Sequence, residues 1–427
     1  MIDTQANPKR YIRLMALVAL LGIVSALVTF AFMAFVNGSI AWIWEEAALA
    51  LGMDPRLFTL LVCTLGGLLV GLLVNYFGDH NAIFSELMLE FGKTGRFDYR
   101  HAPGILVTSF ISLIAGAALG PEAALADTCG GIGTWIADKL KLDEKETRTA
   151  GFGGLSAMLG AFVTNPFGGA LLSLESAQGG MTGLTIYFWG LFPSLLAAAV
   201  ATTVFVALTG SFFDTLYTFP AYTPQVADLL WAVPFSLIGG LAGLIFMFVF
   251  QRLRQLMLPL KNHLVLRSVI GGLGMGIIGA LMPLTLFSGE EGSTELIKQA
   301  ATIGFGTLIL LAIFKLLATS LLLATGWKGG YIFPVMFAGV ALGMAGKLLF
   351  PFVPTAVIVA STLAGVLVAA LRAPLFAAFF TLVLVQAETA PVVAVAVIIS
   401  SFLMALVVLR QARAKAQVQA TPQSAVP

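Results

Sequence analysis

The sequence predicts an all-α, polytopic membrane protein with several interrupted helices. Of its 427 residues, 59% are hydrophobic and only 10% are charged, and the mean hydropathy is +0.97. So few charges cannot cover an ordinary water-exposed surface. At about 20 apolar residues per crossing, the hydrophobic stretches supply on the order of ten spans and leave no room for a soluble regulatory domain. We therefore expect residues 1–427 to form a single transmembrane domain.

The first apolar run, residues 11–35, is too long for the hydrophobic region of a signal peptide and lacks a small-residue cleavage site after it. It is therefore predicted to be a retained span. Basic residues flank the apolar region at both ends: Lys9, Arg10 and Arg13 before it, and Arg410, Arg413 and Lys415 after it. By the positive-inside rule both termini are cytoplasmic, which requires an even number of complete crossings.

Two kinds of apolar segment alternate along the chain. Long spans are predicted near residues 11–36, 56–75, 102–119, 183–208, 226–250, 265–285, 301–325 and 390–409. Shorter segments, broken by Gly or Pro, are 82–91, 121–137, 150–164, 166–178, 334–350, 354–371 and 374–386. A broken helix is tolerated in lipid only where protein or a water-filled cavity satisfies the freed backbone groups. The short segments therefore indicate an interior pathway.

Two pairs of motifs recur in the same order, which favours an internal repeat. NPFGGALLSLE resembles APLFAAFFTLV, and their prolines, Pro166 and Pro374, are 208 positions apart. GPEAAL has a counterpart in GGYIFP, and their prolines, Pro121 and Pro334, are 213 positions apart. Matching interrupted segments in two halves are typical of a transporter binding site, although Gly, Ala, Leu and Pro also recur by chance in membrane sequences. The predicted halves are residues 11–208 and 226–409, followed by a cytoplasmic tail, 410–427.

One acidic residue, Glu122, lies in the apolar stretch GAALGPEAAL, directly after a Gly-Pro pair. Pro121 suits the first turn of a helix because it lacks the N–H that has no partner there, and Gly120 lets the chain turn into it. The free N–H groups and the positive dipole end of such a helix favour an anion, and the carboxylate can be that anion. Acidic groups at membrane depth indicate an ion or proton pathway. The alternative is that Glu122 only caps its own helix near the headgroups.

The stretch GWKGGYIFPVMFAGVALG repeats this design, with Gly329 and Gly330 ahead of Pro334, which is predicted to open a helix. Its free backbone N–H groups form a second positive helix end aimed at the same point, which makes an anion site without Lys or Arg at its centre. Lys328 adds positive field at the entrance. Taken alone, the stretch is an ordinary Gly-Pro helix start.

Two further acidic residues are candidates for proton transfer. Glu175 ends the largely apolar segment GGALLSLES. Asp127 is five residues beyond Glu122, so on a helix it points away from it. A hydrogen-bonded packing role for Asp127 is as open as a pathway role.

Enzymatic chemistry finds no support in the histidines or cysteines. His80, His101 and His263 all lie in polar links, and there is no HExxH or paired-cysteine motif. In the broken segment FGDHNAIFSELMLEF, Asp79, His80 and Asn81 can cap a short helix. We predict no catalytic residues, no metal site and no cofactor.

Together these motifs resemble the CLC family of chloride channels and proton-coupled anion antiporters. Glu122 in GPE matches the gating glutamate of the family motif Gly-Arg-Glu-Gly-Pro, and the CGGIG that follows matches the glycine-rich continuation of that motif. GGYIFP matches the family stretch Gly-Gly-Ile-Phe-Ala-Pro, and NPFGGALLSLE and RAPL match two other signature segments. The motifs follow the family order from about Tyr11 to Leu409. The departures are typical of a divergent bacterial branch, similar to ion-transport proteins of the YfeO type.

The resemblance implies an inverted-repeat fold with re-entrant helices and a homodimer with one pathway per subunit in the lipid of the bacterial inner membrane. It also implies an anion, such as chloride or fluoride, held between helix N-termini and gated by Glu122. The residues it places around the anion are Gly120, Pro121, Gly329, Gly330, Tyr331, Ile332 and Phe333.

Two departures from the family pattern bear on selectivity and on the central tyrosine. The family's serine motif, Gly-Ser-Gly-Ile-Pro, falls near residues 78–83, where His80 or Asn81 replaces the serine as an anion-binding candidate. This leaves selectivity for chloride open. The terminal helix that carries the family's central tyrosine is not found after Leu409, and Tyr331 is a candidate to replace that tyrosine.

A third departure bears on proton coupling. The inner proton glutamate of the antiporters aligns with Ser176, and a shift of one residue would place Glu175 there.

The sequence therefore predicts an anion transporter in which Glu122 competes with the transported anion, and in which protonation of Glu122 frees the site. One alternative is a passive anion channel, for example for fluoride. A second is a cation/proton antiporter that uses Asp127 and Glu175 as ligands, and a third is a scaffold or receptor without transport. The net charge of +2 gives no indication of nucleic-acid binding. The expected partners are an anion, protons and membrane lipid.

Overall fold

A computed structural model of the chain describes residues 8–80, 83–176, 184–210 and 217–420, and within them it is almost entirely helical. The helices of the N-terminal part are α1 Pro8–Ala41, α2 Ala48–Leu51, α3 Pro55–Phe77, α4 Phe84–Thr94, α5 Ala102–Ile114, α6 Glu122–Lys139, α7 Glu144–Val163, α8 Pro166–Ser176, α9 Leu184–Ile186 and α10 Phe192–Thr209. Those of the C-terminal part are α11 Val226–Leu256, α12 Leu264–Leu281, α13 Glu290–Ile303, α14 Phe305–Ala324, α15 Ile332–Leu349, α16 Thr355–Leu371, α17 Pro374–Leu384 and α18 Ala390–Ala420. Single π-helical turns at Trp42–Ala47 and Tyr187–Leu191 lead into α2 and α10.

Eight helical stretches among the described residues are long and apolar enough to cross a membrane. Ala102–Ile114, Thr355–Leu371 and Pro374–Leu384 are apolar but shorter. Two segments differ in kind from the prediction: 102–119 was predicted to be a long span, but its helix has only 13 residues, whereas 334–350 was predicted to be a short broken segment, and its helix, Ile332–Leu349, is long enough to cross. The all-α, polytopic fold class with broken helices is nonetheless confirmed.

The two halves use the same design at their interrupted helices. The helices α8 and α17 each have 11 residues and begin at a proline, Pro166 or Pro374. Each follows a residue in the left-handed region, Thr164 with φ 49° or Arg372 with φ 57°, so the chain turns sharply between a buried helix and a short one.

The structure brings the other pair of motifs into contact and corrects one helix start. The backbones of Gly120 and Gly330, 210 positions apart, are bridged. Pro121 is the N-cap of α6, whereas Pro334, which was predicted to open a helix, is the third residue of α15, which begins at Ile332. Proline is acceptable at either place because the first N–H groups of a helix have no intrahelical partner.

Glycines allow the long helices to approach closely. On α3, a Cβ added to Gly67 would lie 2.7 Å from the carbonyl oxygen of Ser268 in α12. A Cβ on Gly272 would lie 2.3 Å from the carbonyl oxygen of Cys63. In lipid, where apolar side chains gain little from leaving the solvent, such backbone contact is a main source of helix association.

The C-terminal helix runs further than expected. α18 continues to Ala420, through most of the predicted tail that begins at residue 410. The segment from Arg410 to Ala420 is rich in Ala, Arg, Lys and Gln, which are strong helix formers. A polar composition therefore ends the apolar span without ending the helix.

Candidate functional site

Two helix N-termini meet at the centre of the molecule. The amide of Gly120 donates to the carbonyl oxygen of Gly330 at 2.9 Å, and the amide of Gly330 donates to the carbonyl oxygen of Gly120 at 2.6 Å. This bridge holds the start of α6 against the start of α15. Because each N–H donates to the carbonyl oxygen of the other glycine, the two glycines contribute space and backbone alignment to the site instead of hydrogen-bond donors.

Glu122, the first residue of α6, is fully buried at this junction. Its Oε1 accepts a 2.7 Å hydrogen bond from the amide of Ile332, the first residue of α15. The carboxylate therefore sits at the positive end of a helix other than its own, where a negative charge is favoured. Its Oε2 is buried and has no hydrogen-bond partner among the described residues.

The carboxylate fits because two glycines leave room for it. A Cβ on Gly120 would lie 2.0 Å from Oε2 of Glu122, and a Cβ on Gly330 would lie 2.1 Å from its Cδ. Any side chain at these positions would displace the carboxylate, which explains the glycine in each motif.

Aromatic side chains enclose the start of α15. Tyr331 is 3% exposed, its ring lies 5.5 Å from that of Phe246, and its hydroxyl lies beside the Ser85 side chain in the first turn of α4. Phe333 is 1% exposed and makes an edge-to-face contact with Phe162 at 4.9 Å. The N-terminus of α15 is thus shielded from water apart from its polar groups, which strengthens electrostatic interactions there.

A second charged cluster, which the sequence analysis did not identify, lies close by. Lys315 in α14 is fully buried, and its Nζ donates to the carbonyl oxygens of Thr285, Leu286 and Phe287 at 3.0, 3.0 and 2.7 Å. Glu290 starts α13, has a buried carboxylate oxygen without a hydrogen-bond partner in the described structure, and interacts electrostatically with Lys315 and with Glu122. A signal was present, because a lone lysine within an apolar span is expected to be functional or structurally paired.

Glu175 occupies a place that parallels that of Glu122. Its two carboxylate oxygens accept 2.8 Å hydrogen bonds from the amides of Leu375 and Phe376, in the first turn of α17. In both cases an acid from the first half of the chain caps a helix N-terminus of the second half.

Asp127 lies on the same helix as Glu122 in different surroundings. It is 4% exposed, and its Oδ2 has no hydrogen-bond partner within the described parts of the chain. The charged groups that act on it are Asp98 and Glu90. The described residues contain no group of three or more His, Cys, Asp or Glu side chains that could hold a metal ion.

The segment after α3 holds one acid between two cations. Asp79 is paired with Arg267 at 2.6 Å and with Lys328 at 3.0 Å. Burial raises the pKa of the Asp79 carboxyl, but Lys328 and Arg267 outweigh this effect and hold the pKa below its ordinary value. Lys328, predicted at the entrance, therefore forms an ion-pair cluster with Asp79 and Arg267.

The histidine of this segment faces another histidine. The ring of His80 stacks on that of His101 with centroids 3.6 Å apart, and its Nε2 lies 3.0 Å from the carbonyl oxygen of Phe77. Asn81, the other candidate here, lies outside the described residues.

These features define a class of protein, a multi-pass helical membrane protein with charged groups held at helix ends inside the molecule. The family model described as voltage gated chloride channel matches residues 66–405. The chain therefore belongs to the CLC family of chloride channels and anion transporters. Anion transport is the activity that defines this family.

Bacterial relatives extend over most of the chain. The YfeO ion-transport protein of Escherichia coli O7:K1 (strain IAI39 / ExPEC) is 28% identical over 381 residues, which cover 86% of this chain and 87% of the relative. The YfeO protein of Salmonella paratyphi A (strain ATCC 9150 / SARB42) is 28% identical over 380 residues, covering 85% of this chain and 87% of that protein. The predicted resemblance to this branch is confirmed.

Solved structures share the fold. A slow cyanobacterial Cl⁻/H⁺ antiporter superposes with a TM-score of 0.79 and 20% identity, covering 96% of this chain and 99% of that one. A CLC-type fluoride/proton antiporter superposes with a TM-score of 0.77 and 20% identity, covering 93% and 97%. The CLC-like fold is therefore shown by comparison.

Proposed function

We propose that this protein transports a small anion such as chloride or fluoride, and that the Glu122 carboxylate gates the pathway by competing with that anion. One observation carries the proposal: the carboxylate accepts a hydrogen bond from the amide of Ile332 at the N-terminus of α15, a position that favours any anion. When Glu122 is ionised it holds this place itself. When Glu122 is protonated it loses its charge, and the anion can replace it.

Backbone amides at the start of α15 line the proposed site. The amides of Tyr331, Ile332 and Phe333 belong to the first turn or its N-cap, where helix N–H groups lack intrahelical partners. Gly120 and Gly330 hold the two backbones together, and Pro121 and Gly329 complete the two turns. His80 and Asn81 remain candidates for contacts to the anion, and Asn81 lies outside the described residues.

The decisive experiment compares wild type with Glu122→Gln in liposomes. The substitution removes the charge and keeps the shape, so we expect anion efflux to lose its dependence on pH. Efflux of chloride, fluoride, nitrate and sulfate is measured between pH 4.5 and 7.5, with proton flux recorded alongside. The matched control is Glu45→Gln, because Glu45 is an exposed glutamate outside the site. An unchanged flux and pH profile in Glu122→Gln contradicts the gating role.

Proton coupling is proposed to use Glu175. Its carboxylate lies at the start of α17, bound by two amides, and it can take up a proton when that capping is exchanged for solvent. Under opposed proton and anion gradients, an antiporter moves protons against their gradient, whereas a channel does not. Glu175→Gln is expected to reduce proton flux while anion flux persists. Equal loss of both fluxes would contradict a proton-specific role.

The cation/proton antiporter is the alternative that uses Asp127 and Glu175 as ligands. Their surroundings differ, since Asp127 is influenced by Asp98 and Glu90 and Glu175 is bound by amides of α17. Replacing chloride by gluconate at constant sodium and potassium separates the two activities. Transport that persists in gluconate supports a cation/proton antiporter and contradicts the proposed anion transport.

We also infer that the protein forms a homodimer in the inner membrane. Large apolar side chains remain exposed on the monomer, including Ile398 (66%), Phe402 (64%), Phe167 (52%) and Leu375 (51%). They lie on α18, α8 and α17, and α8 meets α17 through the stacked rings of Phe167 and Phe379. Such faces contact lipid or a second copy. Chemical cross-linking in native membranes is expected to trap a species of twice the 44.9 kDa chain mass, and a monomer at every cross-linker dose contradicts the dimer.

A further inference from the structure

A cavity of about 190 Å³, which Glu122 does not line, lies between Asp79 and Ile83, the link from α11 to α12 and the segment before α15. Four cations and one carboxylate line it: Arg254, Lys261, Arg267, Lys328 and Asp79. Trp327, Leu323 and Met257 are among its apolar lining residues. The cavity is therefore a partly enclosed basic chamber.

The charges in this chamber do not balance. Arg267 is 9% exposed and Lys328 is 5% exposed, and both pair with the single carboxylate of Asp79. Their other acceptors are the neutral carbonyl oxygens of Thr325 and His80. Arg254 and Lys261 are exposed, and Arg254 pairs with Glu86 outside the lining. The two buried cations therefore share one negative charge. Leaving a buried cation without full charge pairing is costly, so the chamber favours an additional anion.

The donor types select among anions. A guanidinium presents a planar fork of N–H donors that matches two oxygens of a phosphate group, and lysine adds a compact point charge. Two arginines and two lysines surround a space that is large compared with a halide ion. This arrangement suits an anion with several oxygens, because each side chain can contact a different oxygen. A single halide could contact only part of this set.

The chamber is expected to face the cytoplasm, where phosphate and anionic lipid headgroups can enter it. Residues 252–267, which comprise the end of α11, the link and the start of α12, contain five Arg, Lys or His side chains and no acidic residue, so by the positive-inside rule this region faces the cytoplasm. Basic pockets between spans on that side are typical binding places for anionic lipid headgroups.

We propose that this chamber binds a tetrahedral oxyanion, either free inorganic phosphate or the phosphate of an anionic lipid headgroup. The exposed Arg254 and Lys261 bind the oxyanion first. The buried Arg267 and Lys328 then contact both the oxyanion and the Asp79 carboxylate. Glu122 does not line the chamber, and the proposal does not depend on the proposed transport activity.

The test measures binding directly. The full-length protein, purified in lipid-free detergent, is titrated with sodium phosphate or with sodium chloride at matched ionic strength, and thermal unfolding is followed by tryptophan fluorescence. A ligand that binds the folded state raises the unfolding temperature. We expect phosphate to raise it well above the chloride value. In Arg254→Gln and in Lys261→Gln, we expect the apparent affinity for phosphate to fall by about tenfold.

The control and the second arm identify the source of the phosphate. Arg252→Gln alters a neighbouring arginine whose guanidinium lies 5.1 Å from the ring of Phe248 and does not line the chamber, so it should bind phosphate like the wild type. In parallel, wild type and both variants are placed in nanodiscs of phosphatidylglycerol or phosphatidylcholine. Stabilisation by phosphatidylglycerol alone, lost in the two variants, assigns the chamber to a headgroup, whereas stabilisation by phosphate in detergent assigns it to the free ion. Equal effects of chloride and phosphate, equal loss in Arg252→Gln, or no effect of either phosphate source on the wild type would overturn the proposal.

Discussion

Three charged side chains in the interior of this molecule are held by backbone groups. The Glu122 and Glu175 carboxylates accept hydrogen bonds from amides at helix N-termini. The Lys315 ammonium donates hydrogen bonds to three carbonyl oxygens. Backbone dipoles are fixed by the helices that carry them, so they stabilise a charge without the cost of reorienting. A carboxylate held only by amides, unlike one held by an arginine, is also easily exchanged for another anion.

Lys315 should be important for stability. Replacing it by methionine keeps the length of the side chain but leaves the carbonyl oxygens of Thr285, Leu286 and Phe287 without their donor. We expect Lys315→Met to cost about 2 kcal/mol, seen as a lower unfolding temperature in detergent. Lys347→Met is the matched control, since Lys347 donates to two carbonyl oxygens near the surface and water can replace it. An equal fall in the unfolding temperature of the two variants would show that burial of Lys315 adds nothing to stability.

Tyr331 should contribute to anion affinity. Its hydroxyl lies beside Ser85 between the starts of α4 and α15, where it can donate to an anion or to a bridging water. In Tyr331→Phe we expect the anion concentration for half-maximal flux to rise about tenfold, because a hydrogen bond to a charged group is lost. Tyr76→Phe, at a residue 82% exposed, serves as the control. An unchanged half-maximal concentration would remove Tyr331 from the site.

At the scale of the helices, close packing through glycine makes a specific prediction. A methyl group at Gly272 would meet the carbonyl oxygen of Cys63 at 2.3 Å, and this backbone atom cannot move without separating α3 from α12. We expect Gly272→Ala to destabilise the protein by about 1–3 kcal/mol. Gly38→Ala in α1 meets no atom within 4 Å and should be neutral or stabilising by about 1 kcal/mol. Thermal unfolding of the two variants side by side checks this, and equal behaviour would contradict the packing argument.

Helix starts were predicted well from sequence, to within about one turn. Pro166 and Pro374 do open short helices, because a proline and the turn before it act locally. Pro334 lies two residues after the start of α15 at Ile332, because proline fits any position of the first turn. The contact between the two motifs through Gly120 and Gly330 is visible only in the structure.

At the scale of the whole molecule, charge distribution predicts orientation. From the basic residues at both ends and in the link from α11 to α12, we expect these three regions to lie on the cytoplasmic side. A fluorescent protein fused to the C-terminus should therefore fluoresce, and alkaline phosphatase fused there should be inactive. Phosphatase joined after Thr223, in the link before α11, should be active because α11 crosses the membrane between Thr223 and the link from α11 to α12, which is expected to be cytoplasmic. Active phosphatase at the C-terminus would contradict the orientation.

The sequence by itself determined that the chain is helical and membrane-spanning, where its helices break, and that Glu122 follows one of those breaks. These properties depend on composition and on neighbours within a few residues, which act through local hydrogen bonding and transfer into lipid. Tertiary structure decided that Glu122 binds the amide of Ile332 in α15 rather than only its own helix, and that Lys315 and Glu290 lie nearby. It also gathered four cations around one chamber. Such contacts join residues that are up to 210 positions apart, so they follow from how the helices pack and not from any local pattern.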